Sequence, residues 1–294
     1  MSAWLPGPGW LFCPADRPER YVKALDRADV VILDLEDAVA RPAKAAARDA
    51  VRRLAETGGL DLERTVVRVN AADDAAEHTH DVALLAAAGV RRVMLAKAEE
   101  PAAVAALAAG GAHEVLPLLE TPRGIENAGP IAATDGVVAV MWGADDLVAA
   151  MGGTGSRRAD GSYRDVARYA RERTLVAAKA HGRLALDAVH MDIADTDGLA
   201  AAAEDAAAVG FDATVAIHPS QVAVIRAAYA PSPERLAWAE GLLAAYPDGL
   251  SGAGGVGTHE GRMVDGPIFA QARTVLRRAA ATTRPRDQQR GDHA

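Results

Sequence analysis

Two apolar runs in the stretch EVLPLLETPRGIENAGPIAATDGVVAVMWGADDL, residues 114–147, end in acid: Glu120 follows VLPLL, and Asp145 and Asp146 follow VVAVMWG. Between the runs lies a segment opened by Pro122 and Gly124 whose pattern suits a helix. Strand, helix, strand makes a right-handed parallel unit, which puts the acids at the carboxyl ends of neighbouring strands, open to the same side of a sheet. Two or three carboxylates converging on such a crevice can hold a hard divalent cation such as magnesium. The same residues also suit plain solvated strand ends, because loops are polar. Local pattern leaves both readings open.

The elements that must position these acids repeat the same unit. GWLFCPA precedes a helix begun at Pro18, and VVILDLEDAV precedes one begun at Pro42. TVVRVN leads to AAEHTHDVALLAAAG, closed by Gly89, and RRVMLAKAEE leads to PAAVAALAAG. The two central units follow. GGTGSRRADGSYRD, rich in glycine and charge, then suggests a long mobile loop serving as a lid or substrate loop. VARYARERTLVAAKAHG, RLALDAVHMDI, LAAAAEDAAAVG, FDATVAIHPSQV and SQVAVIRAAYA complete the alternation. Strands that are apolar without alternation are buried on both faces, as in an all-parallel sheet. Eight such units at a spacing of about 25–35 residues predict a (β/α)₈ TIM barrel over residues 1–230. An open doubly wound sheet is disfavoured, since no glycine-rich GxGxxG turn follows the first strand.

Beyond the barrel, PERLAWAEGLLAAY and PIFAQARTVLRRAAA predict a helical extension over residues 231–282, separated by the glycine-rich stretch SGAGGVGTHEGRMVD. Residues 283–294 read as a disordered tail. The net charge of −8 argues against non-specific nucleic-acid binding. No apolar segment approaches the roughly 20 residues of a membrane span. The lone Cys13 cannot form an internal disulfide, and the amino terminus lacks the pattern of a signal peptide. A cytoplasmic protein is expected.

Barrel enzymes place their chemistry at the carboxyl ends of strands. Those ends carry Arg17, the DLED acids, Arg68 and Asn70, Lys97, Glu120 and Arg123, Asp145 and Asp146, Asp187 and His190, and His218. No Ser–His–Asp or Cys–His set stands out, and no histidine cluster suggests zinc. His190 and His218 read better as structural histidines than as catalysts. Asp34, alternating with Leu33 and Leu35, reads as a buried hydrogen-bonding acid. Carboxylates ringed by arginines suit an anionic, oxygen-rich substrate.

LFCPADRPERYVKAL, DVVILDLEDAV, VVRVN, LLETPRG, WGADDLVAAMGG, IHPSQV and GRMVDGPIFAQA occur in an order that resembles the citrate lyase β-subunit-like proteins. These belong to the HpcH/HpaI aldolase and citrate lyase superfamily of magnesium barrels, which includes malyl-CoA lyases. The resemblance spans about residues 10–280 and rests on several motifs together. It implies a magnesium-dependent carbon–carbon lyase, with manganese as an alternative ion. The substrate would be a CoA thioester such as malyl-, citramalyl- or citryl-CoA, cleaved to an acyl-CoA and a keto acid or formed from them.

The resemblance also implies roles. Glu120 and Asp146 would be the metal ligands. Arg68 would grip the keto-acid oxygens, and the turn at Gly143, Ala144 and Asp145 would face the substrate carboxylate. Glu36 and Asp37 would orient metal-bound water. Arg17 and Lys23 would meet the CoA phosphates. Asp265 would arrive from a neighbouring subunit for proton transfer, which requires a homo-oligomer, a trimer or a dimer of trimers. The apolar stripe Ile268, Phe269, Ala272 and Val275 would pack the 231–282 extension on that neighbour. Other readings are a condensing or thioester-hydrolysing enzyme, an aldolase on free keto acids, and a binding protein that keeps the barrel without turnover.

Overall fold

In the computed structural model, residues 4, 6–111, 114–247, 249–250 and 255–282 are described, so the tail expected over 283–294 lies outside them. The first half alternates β1 (Gly9–Pro14), α1 (Pro18–Arg27), β2 (Val30–Asp34), α2 (Lys44–Glu56), β3 (Thr65–Val69), α3 (Ala75–Ala88), β4 (Arg92–Leu95) and α4 (Pro101–Gly111). Next come β5 (Glu114–Leu119), the short helices α5 (Pro122–Glu126) and α6 (Ala128–Ala133), β6 (Ala139–Trp142), and α7 (Ala144–Ala150). The barrel finishes with α8 (Asp165–Ala180), β7 (Leu184–Asp187), α9 (Thr196–Val209), β8 (Ala213–Ala216) and α10 (Pro219–Tyr229). The extension holds α11 (Pro233–Ala245), β9 (Gly257–His259), β10 (Arg262–Val264) and α12 (Gly266–Thr282).

Strands β1 to β8 form a closed parallel barrel in sequence order, with β8 returning to β1. The expected (β/α)₈ architecture is therefore present. Period-two alternation sends Trp10, Ile32, Val66, Met94, Leu118, Met141, Leu186 and Val215 into the lumen. The alternate residues, among them Leu33, Val67, Val93, Leu119, Val140 and Ala185, meet the helices. Pro18 opens α1, and Gly89 and Gly210 close α3 and α9 with left-handed backbones, as their positions in the sequence predict.

Three expectations change. The segment between β5 and β6 is two short helices joined at Asn127, not one. The stretch 152–165 is fastened to the barrel rather than free. Arg157 and Tyr163 form an antiparallel bridge, the Tyr163 ring packs 5.1 Å from Trp142, and buried Ser156 donates to Asp145 over 2.7 Å. The glycine-rich region before α12 contains the β9–β10 hairpin, tied by the Tyr246 hydroxyl to both the N–H and the carbonyl of Thr258.

The α12 stripe finds its cover inside the chain. Phe269 and Ala272 are buried, with Ile268 and Val275 beside them, in a cluster with Ala239, Leu242 and Trp238 of α11 and Val264 of the hairpin. The stripe therefore supplies no reason of its own for packing on a neighbour. This small core is separate from the barrel core, and α12 rejoins the barrel through Arg278, which donates to the Phe211 carbonyl. Phe269→Ala should cost about 3 kcal/mol and act locally. Limited proteolysis should cut faster within 231–282 while the barrel keeps its circular dichroism. Equal loss of both parts would contradict a separate extension core.

Candidate active site

The lumen-facing positions of β5 are Leu116 and Leu118, and the next in that series is Glu120, just beyond the strand and only 2% exposed. The same parity on β2 and β3 delivers Asp34 and Arg68, which are partners in the strand register. Neighbouring parallel strands in register thus set an acid beside a guanidinium. Arg68 Nε donates to Asp34 Oδ1 over 2.7 Å and Nη2 to Oδ2 over 2.6 Å, a two-pronged pair in the barrel interior. Arg68 Nη1 lies 3.1 Å from Glu36 Oε2, and the guanidinium rests 4.7 Å from the centre of the Phe12 ring. Burial alone would weaken the Arg68 charge, but Asp34 and Glu36 together hold its pKa above the ordinary arginine value.

Asp34 uses its remaining capacity on the N–H groups of Glu36 and Ala38, at 2.9 and 3.1 Å. All four acceptor directions are filled, so Asp34 is the buried structural acid that the β2 alternation predicts. It folds the loop that carries Glu36 and Asp37. Both of these acids pair with the Lys97 ammonium, Asp37 at 3.3 Å. Burial would lower the Lys97 pKa, but Glu36 and Glu120 outweigh it and hold the ammonium charged.

Lys97, which the sequence marks only as a strand-end cation, joins these acids to Glu120. Its φ of 47° is a left-handed backbone at a lysine, a conformation that L side chains rarely adopt. That twist turns its N–H onto Glu120 Oε1 at 2.9 Å while its side chain reaches Glu36. The only sequence signal was a cation at the end of β4.

Gly143 and Asp146 come from the β6 end. A methyl group at Gly143 would lie 2.8 Å from Glu120 Cβ and 2.9 Å from its Oε2, so glycine is what lets the two strand ends approach. Asp145 and Asp146 occupy the first turn of α7, where N–H groups have no helical partner. The two acids divide: Asp145 is bonded to Ser156, and Asp146 acts electrostatically on Glu120. Burial pushes the Glu120 carboxyl up to about 8; Arg68 opposes this, Asp146 adds to it, and Lys97 opposes it again.

This donor set fits a hard divalent ion. Two carboxylates that repel each other, one of them buried, are stabilised by a cation between them, and oxygen ligands suit magnesium. Among the described residues no group of three or more His, Cys, Asp and Glu gathers as a metal site, so water and substrate would fill the other positions.

Other strand-end residues lie elsewhere. Asp187 falls on the outward parity of β7, where it accepts from Trp142 Nε1 at 2.7 Å and from Arg171 Nη2 of α8 at 2.9 Å. His190 pairs with Asp195 at 3.0 Å, and His218 caps α10 with Gln221. Arg123 pairs with Glu100, and Arg157 lies over the Tyr163 ring. Cys13 is buried, which pushes its thiol up to about 11 and disfavours the thiolate. Arg17 is exposed, 3.8 Å from Asp16, and Lys23 borders a groove of about 570 Å³ with Arg27, His218 and Ser220. Asp265 precedes α12, where its carboxylate accepts from the Ile268 N–H at 3.3 Å.

The Glu120 shift has a sign that can be measured without turnover. The folded chain keeps this proton after the unfolded chain has released it, so the metal-free fold loses stability as pH rises from about 4.5 to about 8. Glu120→Gln removes the effect. In EDTA its melting temperature should exceed that of wild type increasingly from about pH 4.5 to about pH 8 and by a constant margin above that, with each pKa unit worth about 1.4 kcal/mol. A gap that ignores pH would show that Glu120 is not desolvated.

Comparison with known proteins places the chain in a family. The model of the HpcH/HpaI aldolase/citrate lyase family matches residues 10–219. A citrate lyase subunit beta-like protein of Mycobacterium tuberculosis is 56% identical over 283 residues, covering 96% of this chain and 99% of that protein. The mitochondrial citramalyl-CoA lyase of Rattus norvegicus is 31% identical over 271 residues, covering 85% of this chain and 79% of that enzyme. The crystal structure of protein CitE from Mycobacterium tuberculosis in complex with magnesium, acetoacetate and coenzyme A matches with a TM-score of 0.84 at 55% identity, covering 94% of this chain and 99% of that one. The chain belongs to the HpcH/HpaI aldolase/citrate lyase family.

Proposed function

We propose that this carbon–carbon lyase cleaves, or in reverse forms, a 3-hydroxyacyl-CoA thioester of the malyl-, citramalyl- or citryl-CoA kind, giving an acyl-CoA and a keto acid, with magnesium at Glu120 and Asp146. The observation that carries this reading is the buried carboxylate of Glu120, opposed by Asp146 and flanked by Arg68 in the same end of the lumen. An anion pair of this kind calls for a cation, and the arginine suits a substrate rich in anionic oxygen.

When bound, magnesium would stabilise the substrate alkoxide that becomes the keto-acid carbonyl as the carbon–carbon bond breaks, and in the reverse direction would polarise that carbonyl. Arg68, its plane fixed by Asp34, directs its remaining N–H groups at the keto-acid oxygens. The N–H groups of Ala144 and Asp145, opening α7, hold the substrate carboxylate, and Gly143 keeps the approach clear. Glu36 and Asp37, set by Lys97, would accept hydrogen bonds from water on the bound cation. Arg17 and Lys23, at the start and on the exposed face of α1, meet the CoA phosphates.

The acyl-CoA fragment departs needing a proton at its α-carbon. Asp265 of a neighbouring copy takes the proton from the substrate hydroxyl as the bond breaks and returns it to that carbon, in a trimer or dimer of trimers. In support, the extension follows the carboxyl-terminal end of α10, and helices of a (β/α)₈ barrel end on the face opposite the strand carboxyl ends.

Purified protein with magnesium should split at least one of malyl-, citramalyl- and citryl-CoA into an acyl-CoA and a keto acid. Release of free CoA with the intact hydroxy acid would instead identify a thioester hydrolase. Glu120→Gln and Asp146→Asn should abolish turnover, and Arg68→Lys should lower it by about 10²-fold, because a point charge cannot replace a planar fork. Turnover in EDTA or in either carboxylate variant would overturn the metal assignment. Mixing inactive Asp265→Ala with inactive Glu120→Gln under subunit exchange should restore part of the activity. Exchange without recovery would place Asp265 outside the reaction.

A further inference from the structure

Lys44 sits near the start of α2 with only 7% of its surface exposed. A buried ammonium usually takes a carboxylate partner, since an unpaired charge is costly to desolvate. Lys44 does not follow that pattern. Its Nζ donates to the Leu35 carbonyl at 2.7 Å, the Glu36 carbonyl at 2.9 Å and Asn70 Oδ1 at 2.6 Å, which uses all three of its N–H groups. Methionine would fill similar volume without desolvating a charge. The two carbonyls belong to the residues just past β2, where the strand ladder makes its last bond, from the Leu35 N–H to the Arg68 carbonyl at 3.0 Å.

Asn70, just past β3, ties Lys44 to the helix layer. Its Nδ2 donates to the same Leu35 carbonyl at 3.1 Å and to Asp81 Oδ2 at 2.6 Å. Asp81, fully buried on α3, also accepts from Asn70 N at 2.9 Å and from Arg48 of α2 at 2.9 Å. The network therefore runs Arg48–Asp81–Asn70–Lys44 and ends on the backbone of Glu36. On the other side of that backbone, the Glu36 carboxylate meets Arg68 and Lys97. With its carbonyl pulled toward α2, Glu36 has its side chain turned to the lumen.

We propose that Lys44 is a positioning residue for the reaction, holding the Leu35–Glu36 backbone from behind so that the Glu36 carboxylate stays aimed at Arg68 and Lys97. It acts through Glu36 and touches no reacting atom. The inference rests on the proposed roles of Glu36 and Arg68.

A double-mutant cycle on thioester cleavage tests it, using Lys44→Met, Glu36→Gln and the pair, each checked for folding by melting temperature. If Lys44 acts through Glu36, Lys44→Met should lower kcat by about tenfold to a hundredfold with little change in KM, as a misplaced site does. In the Glu36→Gln background the same change should cost less than about twofold, because the coupled partner is gone. A Lys44 that serves only the fold would cost the same factor in both backgrounds, or nothing in kcat, and either result overturns the proposal. Should Lys44→Met fail to fold, Asn70→Ala carries the same cycle, since it removes one acceptor of Lys44 and one donor to the Leu35 carbonyl. If wild type turns over and Glu36→Gln is unimpaired, the role of Glu36 falls and that of Lys44 with it. If Glu36→Gln is impaired and the cycle is additive, only the role of Lys44 falls.

Discussion

Glu120 holds a carboxylate where water barely reaches, and Asp146 places a second acid within electrostatic range of it. Burial and like charge both oppose ionisation, so this end of the lumen is unfavourable for two free carboxylates. Much of the surrounding structure answers that constraint. The left-handed turn at Lys97 brings an N–H to Glu120, Gly143 gives the acid its space, and Arg68 supplies the positive charge that most opposes the effect of burial. Arg68 is in turn held flat by Asp34, its register partner on the adjacent strand. A cation between the two acids relieves the repulsion that these contacts only moderate.

The barrel was legible because its strands are buried on both faces and read as uninterrupted apolar runs, several of them followed by a helix with a proline start or glycine stop, as at α1 and α3. Glu120 was legible for a related reason, since it ends the inward series Leu116, Leu118. Asp187 shows the limit of listing strand ends without parity. It ends β7 on the outward series, and its carboxylate serves Trp142 and Arg171 instead of the lumen.

What the sequence hid depends on contacts between distant residues. Composition made 152–165 look free, but Tyr163 on Trp142 and Ser156 on Asp145 fasten it. Periodicity showed that one face of α12 had to be buried, but not that α11 of the same chain would cover it. The pairing of Asp34 with Arg68 follows from strand register, and the importance of Lys97 from one backbone angle; neither is written in local pattern.

The central claim is that Glu120 and Asp146 hold the metal. Crystals grown with manganese in place of magnesium, measured at the manganese absorption edge, test it most directly. An anomalous peak between the two carboxylates in each barrel is the predicted result. A peak elsewhere, with that pair left empty at saturating metal, would contradict it.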